Sequence, residues 1–309
     1  MRFAMSIPQF HADGEFGPAA FRAYLARVER LGFDSAWAQE QTLGSKPQLG
    51  PAETMAYAAA CTERLRLGCV VFVSTLHSPA HLAKSIASLD QISRGRIEAG
   101  FGTGGKRRPF GAFGVDPDRY VARFYEGLEV MTRLWRESHV DFSGEFWQLA
   151  DASMEPKPFQ KPNPPLWFGG SGRTALRRAA MTPGLFSGFF GAGQATTEKF
   201  AEQVRTVREA LAEAGRPAQD FAIAKRVYIA VDDDARRARE RINDELAALY
   251  MTRSPETEAA AIAGTPAECA RRLHEVLAAG ADLILFTPLF DPAGHAERLA
   301  GEVLPELGR

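Results

Sequence analysis

Cysteine is scarce in this chain. Among 309 residues there are three, Cys61, Cys69 and Cys269, an odd number without metal-ligand spacing, which argues against a disulfide framework or zinc site and predicts a reducing, cytoplasmic setting. Charge of one sign is also lacking. Lys and Arg number 37 against 38 Asp and Glu, a formal charge of −1 with a pI near 6.6, so no general attraction to nucleic acid or an anionic membrane is expected. No apolar run approaches the roughly 20 residues of a membrane span, Met1–Pro8 has no apolar leader core, and no internal repeat of about 20 to 50 residues is evident. The chain reads as soluble and unprocessed.

What is present is core-forming material in a regular alternation. At 45% hydrophobic and 24% charged, the chain has enough apolar surface for one large core or two medium domains. Phe3–Ile7, Ser35–Ala38, Leu67–Val73, Arg96–Phe101, Leu166–Phe168, Leu185–Phe190, Phe221–Val231 and Leu283–Phe286 read as eight strands. Between them lie helical stripes such as Phe21/Leu25/Val28, Leu82/Ile86/Leu89 and Phe200/Val204/Val207/Leu211. The nearly all-apolar strands belong in a parallel sheet covered on both faces. Eight βα units predict a (β/α)8 TIM barrel, an α/β fold of one domain over residues 1–309, with insertions at about 138–165 and 254–265. An open doubly wound sheet is the competing arrangement. The first insertion reads as a small hairpin around Ser143-Gly144-Glu145, followed by five prolines between Pro156 and Pro165 that forbid regular structure.

The central stretch runs from His77 to Gly105 as helix, turn, strand and glycine loop. Gly100, Gly102 and Gly105 match G-x-G-x-x-G, but Lys106-Arg107-Arg108-Pro109 follows where a dinucleotide fingerprint needs a helix, so the match is accidental. Leu89-Asp90, Ser93, Gly95-Arg96 and the Gly100–Gly104 loop resemble the signature of the bacterial luciferase-like superfamily of flavin-dependent monooxygenases and deazaflavin oxidoreductases. The resemblance extends from Met1 to Val303-Leu304-Pro305.

Strand C-terminal ends carry the chemistry of such barrels. They select Gln9 and His11, Glu40 and Gln41, Ser74 to His77, Gly102 to Arg108, Gly169 to Arg173, Gly191 to Gln194, and Thr287. The strongest physical signal is Phe168-Gly169-Gly170-Ser171-Gly172-Arg173, a strand turning through glycines into a helix, where unpaired N–H groups, a hydroxyl and a guanidinium suit a phosphate. An ordinary strand-to-helix turn with a solvated arginine is the plain alternative. The resemblance implies that Gly170, Ser171, Gly172 and Arg173 contact a flavin phosphate, with Gly169 a further cofactor-binding candidate. It also implies a non-proline cis peptide between Val70 and Val71, supporting the flavin ring. Gly102, Thr103, Gly104 and Lys106, after strand four, are further cofactor-binding candidates, Lys106 as an anion contact. Lys106-Arg107-Arg108 otherwise reads as a solvated charge run.

Two departures limit the carry-over. The family often places a histidine after the acid at the end of strand two, and here Glu40 is followed by Gln41, which cannot trade a proton near neutral pH. Glu40 remains an acid or base if an apolar pocket raises its pKa, or a positioning group paired with an arginine. Some deazaflavin-dependent dehydrogenases carry a glutamate where Gly105 stands. His77 and His11 are the other proton donors near the strand ends, although a lone histidine is more often a packing residue. The resemblance thus implies an oxidoreductase using FMN or the deazaflavin coenzyme F-420 on a small organic substrate, as a homodimer or higher oligomer. The Trp37–Gln41 segment favours the deazaflavin branch. A non-catalytic flavin-binding barrel is the alternative; an aldolase or isomerase is weaker, because Lys225 lies early in its strand.

Overall fold

The structure, a computed structural model, describes residues 1–9, 15–44, 47–104 and 110–308. In chain order the elements are β1 (Arg2–Ser6), α1 (Pro18–Arg30), β2 (Ser35–Ala38), α2 (Pro51–Cys61), β3 (Arg66–Val73), α3 (Pro79–Ser93), β4 (Ile97–Gly102) and α4 (Tyr120–Arg136). An antiparallel pair, β5 (Val140–Ser143) and β6 (Gln148–Ala152), interrupts the alternation. It resumes through β7 (Leu166–Gly169), α5 (Arg173–Met181), β8 (Gly188–Gly191), α6 (Thr197–Glu213), β9 (Ala222–Val231), α7 (Ala235–Tyr250), α8 (Pro255–Ala260), β10 (Ile262–Gly264), α9 (Pro266–Ala278), β11 (Leu283–Thr287) and α10 (Pro292–Arg298).

Strand pairing decides between barrel and open sheet. The order β9-β11-β1-β2-β3-β4-β7-β8 returns to β9 through a parallel β8–β9 ladder, so eight strands close on themselves as a (β/α)8 barrel. Complete burial of β4, β8 and β11 accounts for their largely apolar sequences, and the one buried charge, Glu98 of β4, is paired with Arg66.

The chain divides into two compact units, one of Met1–Pro8, Gly17–Trp37 and Gly170–Arg309, the other of Gln9–Phe16 and Ala38–Gly169. Within the first, Phe286 stacks on Phe3 at 5.9 Å and takes Phe33 edge-on at 6.5 Å. Within the second, Phe72 packs on Phe101 and Phe124 on Phe168 at 6.1 and 6.5 Å. Each such buried ring contributes about 1.5–3 kcal/mol of transfer free energy.

The residues that carry the family signature are mostly structural anchors of the second unit. Asp90, 0% exposed, accepts hydrogen bonds from both the backbone N–H and the side-chain amide of Gln160 at 2.8 Å, which pins the proline-rich segment to α3. The Arg96 guanidinium bridges the carbonyls of Ala59 and Leu65 and the Thr62 hydroxyl. The hairpin is held similarly. Glu126 on α4 accepts from the N–H groups of Glu145, Phe146 and Trp147 at 2.8–3.0 Å.

Two sequence expectations need correction. The 254–265 segment is not a structureless insertion: Ser254 caps α8 by accepting from Thr257 N, Pro255 starts the helix, and β10 pairs with Ile229–Val231 of β9. The strand expected at Leu185–Phe190 begins only at Gly188. Arg216 donates to the Phe186 carbonyl at 2.5 Å and diverts it from ladder pairing.

Candidate functional site

The end of β3 is the irregular point of the second unit. Its register against β4 shifts between Cys69 and Phe72, and the Val70–Val71 peptide is cis, as the resemblance implied. Where the rest of the strand's C-terminal half is buried, Val70 and Val71 are half-exposed. The bulge turns the Val71 side chain across two neighbouring strand ends that have no room for a side chain of their own. A Cβ at Gly102 would lie 2.7 Å from Val71 Cγ2 and 3.0 Å from the Gly169 carbonyl oxygen, and one at Gly169 would fall on Val71 Cγ1. These glycines are required by close approach.

Glu40, 9% exposed, follows β2 and turns to the same strand end. Its Oε2 accepts the Val73 N–H at 2.5 Å, its Oε1 lies 2.6 Å from His77 Nε2, and Thr42 Oγ1 donates to Oε1 at 3.2 Å. Burial alone raises this carboxyl's pKa. The hydrogen bond and charge of His77, with the donors of Val73 and Thr42, outweigh it and hold Glu40 below the usual carboxylate value. Glu40 is therefore an anion at neutral pH, and its partner is a histidine where an arginine was the expected alternative. His77 keeps 32% of its side chain exposed. The short turn carrying it is tied to the glycine loop by Thr75 Oγ1, which donates to the Thr103 carbonyl at 3.0 Å.

Gln41, by contrast, folds its carboxamide back over Gly44 of its own loop. Buried Gln9 anchors that loop: its amide donates to the carbonyls of Gln39 and Leu49 at 3.0 and 2.8 Å, and its oxygen accepts the Gln39 N–H at 2.6 Å. Gly104 has a left-handed φ of 80°. Lys106, with Gly105, Arg107, Arg108 and His11, lies outside the described residues.

The Gly170–Arg173 turn belongs to the first unit. Gly172 is the N-cap of α5, and no side chain caps the helix, so its first N–H groups are left without a side-chain acceptor next in sequence to Ser171 and Arg173. That donor set fits a phosphate. Ser171 and Arg173 line a cleft of about 650 Å³ together with Lys199, Glu202, Gln203, Arg205, Thr206 and Glu209 of α6 and Glu256.

Sequence reasoning missed one supporting residue and set another aside. Arg123 on α4 donates to the Thr75 carbonyl at 3.2 Å and lies 4.4 Å over the Trp147 ring, connecting the His77 turn to the hairpin. Nothing in the helical pattern marks it. Lys225 on β9 is 2% exposed, and its amine donates to the carbonyls of Ala192 and Ala195 at 2.5 and 2.8 Å. Burial, helped by neighbouring Arg226, lowers its pKa to about 7. A lysine inside a strand pattern was the available signal.

The closed parallel barrel with a bulged, half-exposed third strand defines a class of protein. The family model described as luciferase-like monooxygenase matches residues 1–283, and the chain belongs to that family. An F420-dependent glucose-6-phosphate dehydrogenase of Beutenbergia cavernae is 27% identical over 324 residues, covering 95% of this chain and 94% of that protein. The uncharacterized protein y4vJ of Sinorhizobium fredii is 30% identical over 152 residues, 49% of this chain, and the match spans only 43% of that relative's length. Among solved structures, monooxygenase RslO1 from Streptomyces bottropensis superposes with a TM-score of 0.85 at 24% identity, covering 99% of this chain and 100% of that one. Among the described residues, no helix is long and apolar enough to cross a membrane.

Proposed function

We propose that the protein is a flavin- or deazaflavin-dependent oxidoreductase of the luciferase-like type acting on a small organic molecule, with coenzyme F420 favoured over FMN. The observation that carries the reading is the Glu40–His77 pair, 2.6 Å apart beside the half-exposed Val70 and Val71. The preference for F420 rests on the dehydrogenase relative, which matches 95% of this chain, and on the Trp37–Gln41 segment. The cytoplasm and a homodimer or higher oligomer complete the proposal.

When bound, the cofactor ring supplies hydride exchange, or with FMN the activation of oxygen. The chain's own residues do the rest. Val70 and Val71 offer a stiff apolar support, because branching at Cβ restricts their rotamers. Glu40 stays anionic and accepts from His77 Nε2, which fixes that ring and leaves Nδ1 as the atom at which a proton is held or released. His77 thereby takes the role that a histidine at position 41 has in the family pattern. Gly170, Ser171, Gly172 and Arg173 bind the phosphate.

Reconstitution of the apoprotein with F420 or FMN, followed by absorbance near 420 or 450 nm on adding reductant or candidate alcohols and aldehydes, tests the reading. Expected is F420 binding with a substrate-dependent change, and a His77→Ala variant that binds cofactor normally but turns over at least about tenfold more slowly, the low end of what a positioned acid or base contributes. Tight binding without turnover of any substrate would favour the non-catalytic barrel. Failure to bind either cofactor would refute both.

A further inference from the structure

We propose that Arg226, Tyr228, Tyr250 and Thr287 form a site for the carboxylate end of the substrate, which is therefore a small carboxylic acid with an apolar body. The inference rests on the reading above that a small organic molecule is turned over by this chain, and it names the class of that molecule.

Two neighbouring strands and one helix bring the four residues together. Thr287, the last residue of β11, is in register with Tyr228 of β9, and both are buried, at 4% and 2% exposure. Side chains alternate along a strand, so Arg226 and Tyr228 share one face of β9 and Lys225 takes the other. Tyr250, the last residue of α7, meets the Tyr228 ring edge-on at 6.3 Å, and the two hydroxyl oxygens are 2.5 Å apart. The guanidinium is held in place from two sides. Arg226 Nε donates to Thr287 Oγ1 at 3.2 Å, and Cζ lies 5.0 Å from the centre of the Tyr228 ring. That ring is backed in turn by the loop after β8, where a Cβ at Gly193 would come within 2.7 Å of Tyr228 Cε2.

The chemistry of the four groups selects an oxyanion. Arg226 and Tyr250 are half-buried, so the cation is reachable yet partly removed from water, where it attracts an anion more strongly than on an open surface. Its planar fork matches the two oxygens of a carboxylate. The phenols supply a further donor. Two hydroxyls carry two hydrogens and the bond between them uses one; the second has no acceptor among the described residues. Burial and the Tyr228 hydroxyl hold Tyr250 above the usual phenol pKa against the opposing charge of Arg226, so the phenol is a donor at neutral pH. One cation with a neutral donor beside it suits a singly charged carboxylate better than a doubly charged phosphate. The remainder of the molecule is set by the neighbours. Leu249, Leu289 and Phe290 are partly buried hydrophobics packed against the cluster that contains Tyr228, and they suit an apolar body.

The test titrates cofactor-loaded protein by calorimetry with three probes that share one ring: benzoate, its neutral isostere benzamide, and phenyl phosphate. Benzoate should bind at least about tenfold more tightly than benzamide, the factor that a charge-assisted hydrogen bond supplies. Arg226→Met should remove that preference. Tyr250→Phe keeps the ring and deletes only the hydroxyl, and it should weaken benzoate about three- to tenfold. Circular dichroism and the thermal midpoint check that each variant folds, and Tyr250→Phe decides the matter should Arg226→Met not fold. Against an alcohol or aldehyde that the reconstituted enzyme turns over, benzoate should raise KM and leave kcat unchanged. Equal affinities for benzoate and benzamide in protein that binds F420 or FMN would overturn the inference and leave the proposed activity standing. A benzoate preference that both variants retain, or inhibition that lowers kcat at constant KM, would put the anion elsewhere and overturn it as well. Phenyl phosphate binding more tightly than benzoate would overturn the choice of carboxylate. Should neither cofactor load, the proposed activity fails, while a benzoate preference that Arg226→Met abolishes keeps the anion site.

Discussion

Replacing Glu40 by glutamine removes one charge and keeps the size of the side chain. In the native site the carboxylate accepts three donors, Val73 N–H, His77 Nε2 and Thr42 Oγ1. A carboxamide has a single acceptor oxygen; with that oxygen on Val73 N–H, its NH₂ faces His77 Nε2, which can accept only as the neutral ring in its other tautomer, so the charge-assisted bond to His77 is lost. A hydrogen bond to a charged group is worth about 1.5–3 kcal/mol. Glu40→Gln should therefore lower the urea midpoint at pH 7 with an unchanged slope, by an amount equivalent to about 1.5–3 kcal/mol. The pH dependence gives a second check. Because the folded-state pKa of Glu40 lies below its ordinary value, its contribution is present above the unfolded carboxyl pKa of about 4.3 and is lost as pH falls through the folded value. The gap between wild type and variant should be open at about pH 5.5 and close below about pH 4. Equal midpoints at pH 7, or a gap that widens in acid, would refute this account of the site.

Gly102→Ala should cost about 1–3 kcal/mol of stability, because the new Cβ meets Val71 Cγ2 and a backbone carbonyl; a wild-type melting temperature would show that the bulge yields. His295 is 5% exposed and its pKa is lowered, chiefly by burial, so the unfolded chain takes up a proton there before the folded one does. Stability should accordingly fall as pH drops below about 6.5, and His295→Phe, read by urea titration between pH 7.5 and 5.5, should flatten that slope. Burial pushes the thiol of Cys69 well up and that of Cys269 up to about 12, whereas Cys61 is half-exposed. Iodoacetamide at pH 8 should label Cys61 alone in the folded protein, and mass spectrometry of the peptides would reveal any early modification of the other two.

The barrel was legible because each βα unit repeats the same boundaries, an apolar run, a glycine or proline, then a stripe at helical spacing. The 254–265 segment was not. A helix of six residues and a strand of three are shorter than the window in which periodicity separates helix from strand. The candidate site divides in the same way. Glu40, the glycine turn at 169–173 and the 74–77 turn could be read locally as strand ends, but the Glu40–His77 contact joins positions 37 apart in sequence. Local reasoning saw only Gln41 beside Glu40 and concluded that a histidine was missing. Arg216 misled it through tertiary contact, since its bond to the Phe186 carbonyl overrides a strand propensity that Leu185–Phe190 has on its own.

Lys225 shows how the interior of the first unit bears on its cleft. The amine faces two carbonyl oxygens, and the bonds it makes there do not depend on its charge. A neutral amine still has two N–H groups, one for each carbonyl, so the contact survives deprotonation near pH 7 where a carboxylate pair would not. Both acceptors, Ala192 and Ala195, belong to the turn after β8 that lines the cleft with Gln194. A methionine at 225 would fill the volume and leave two buried carbonyls without a donor. The lysine therefore fixes a cleft wall from inside the unit, at a position where its charge is dispensable and its hydrogens are not.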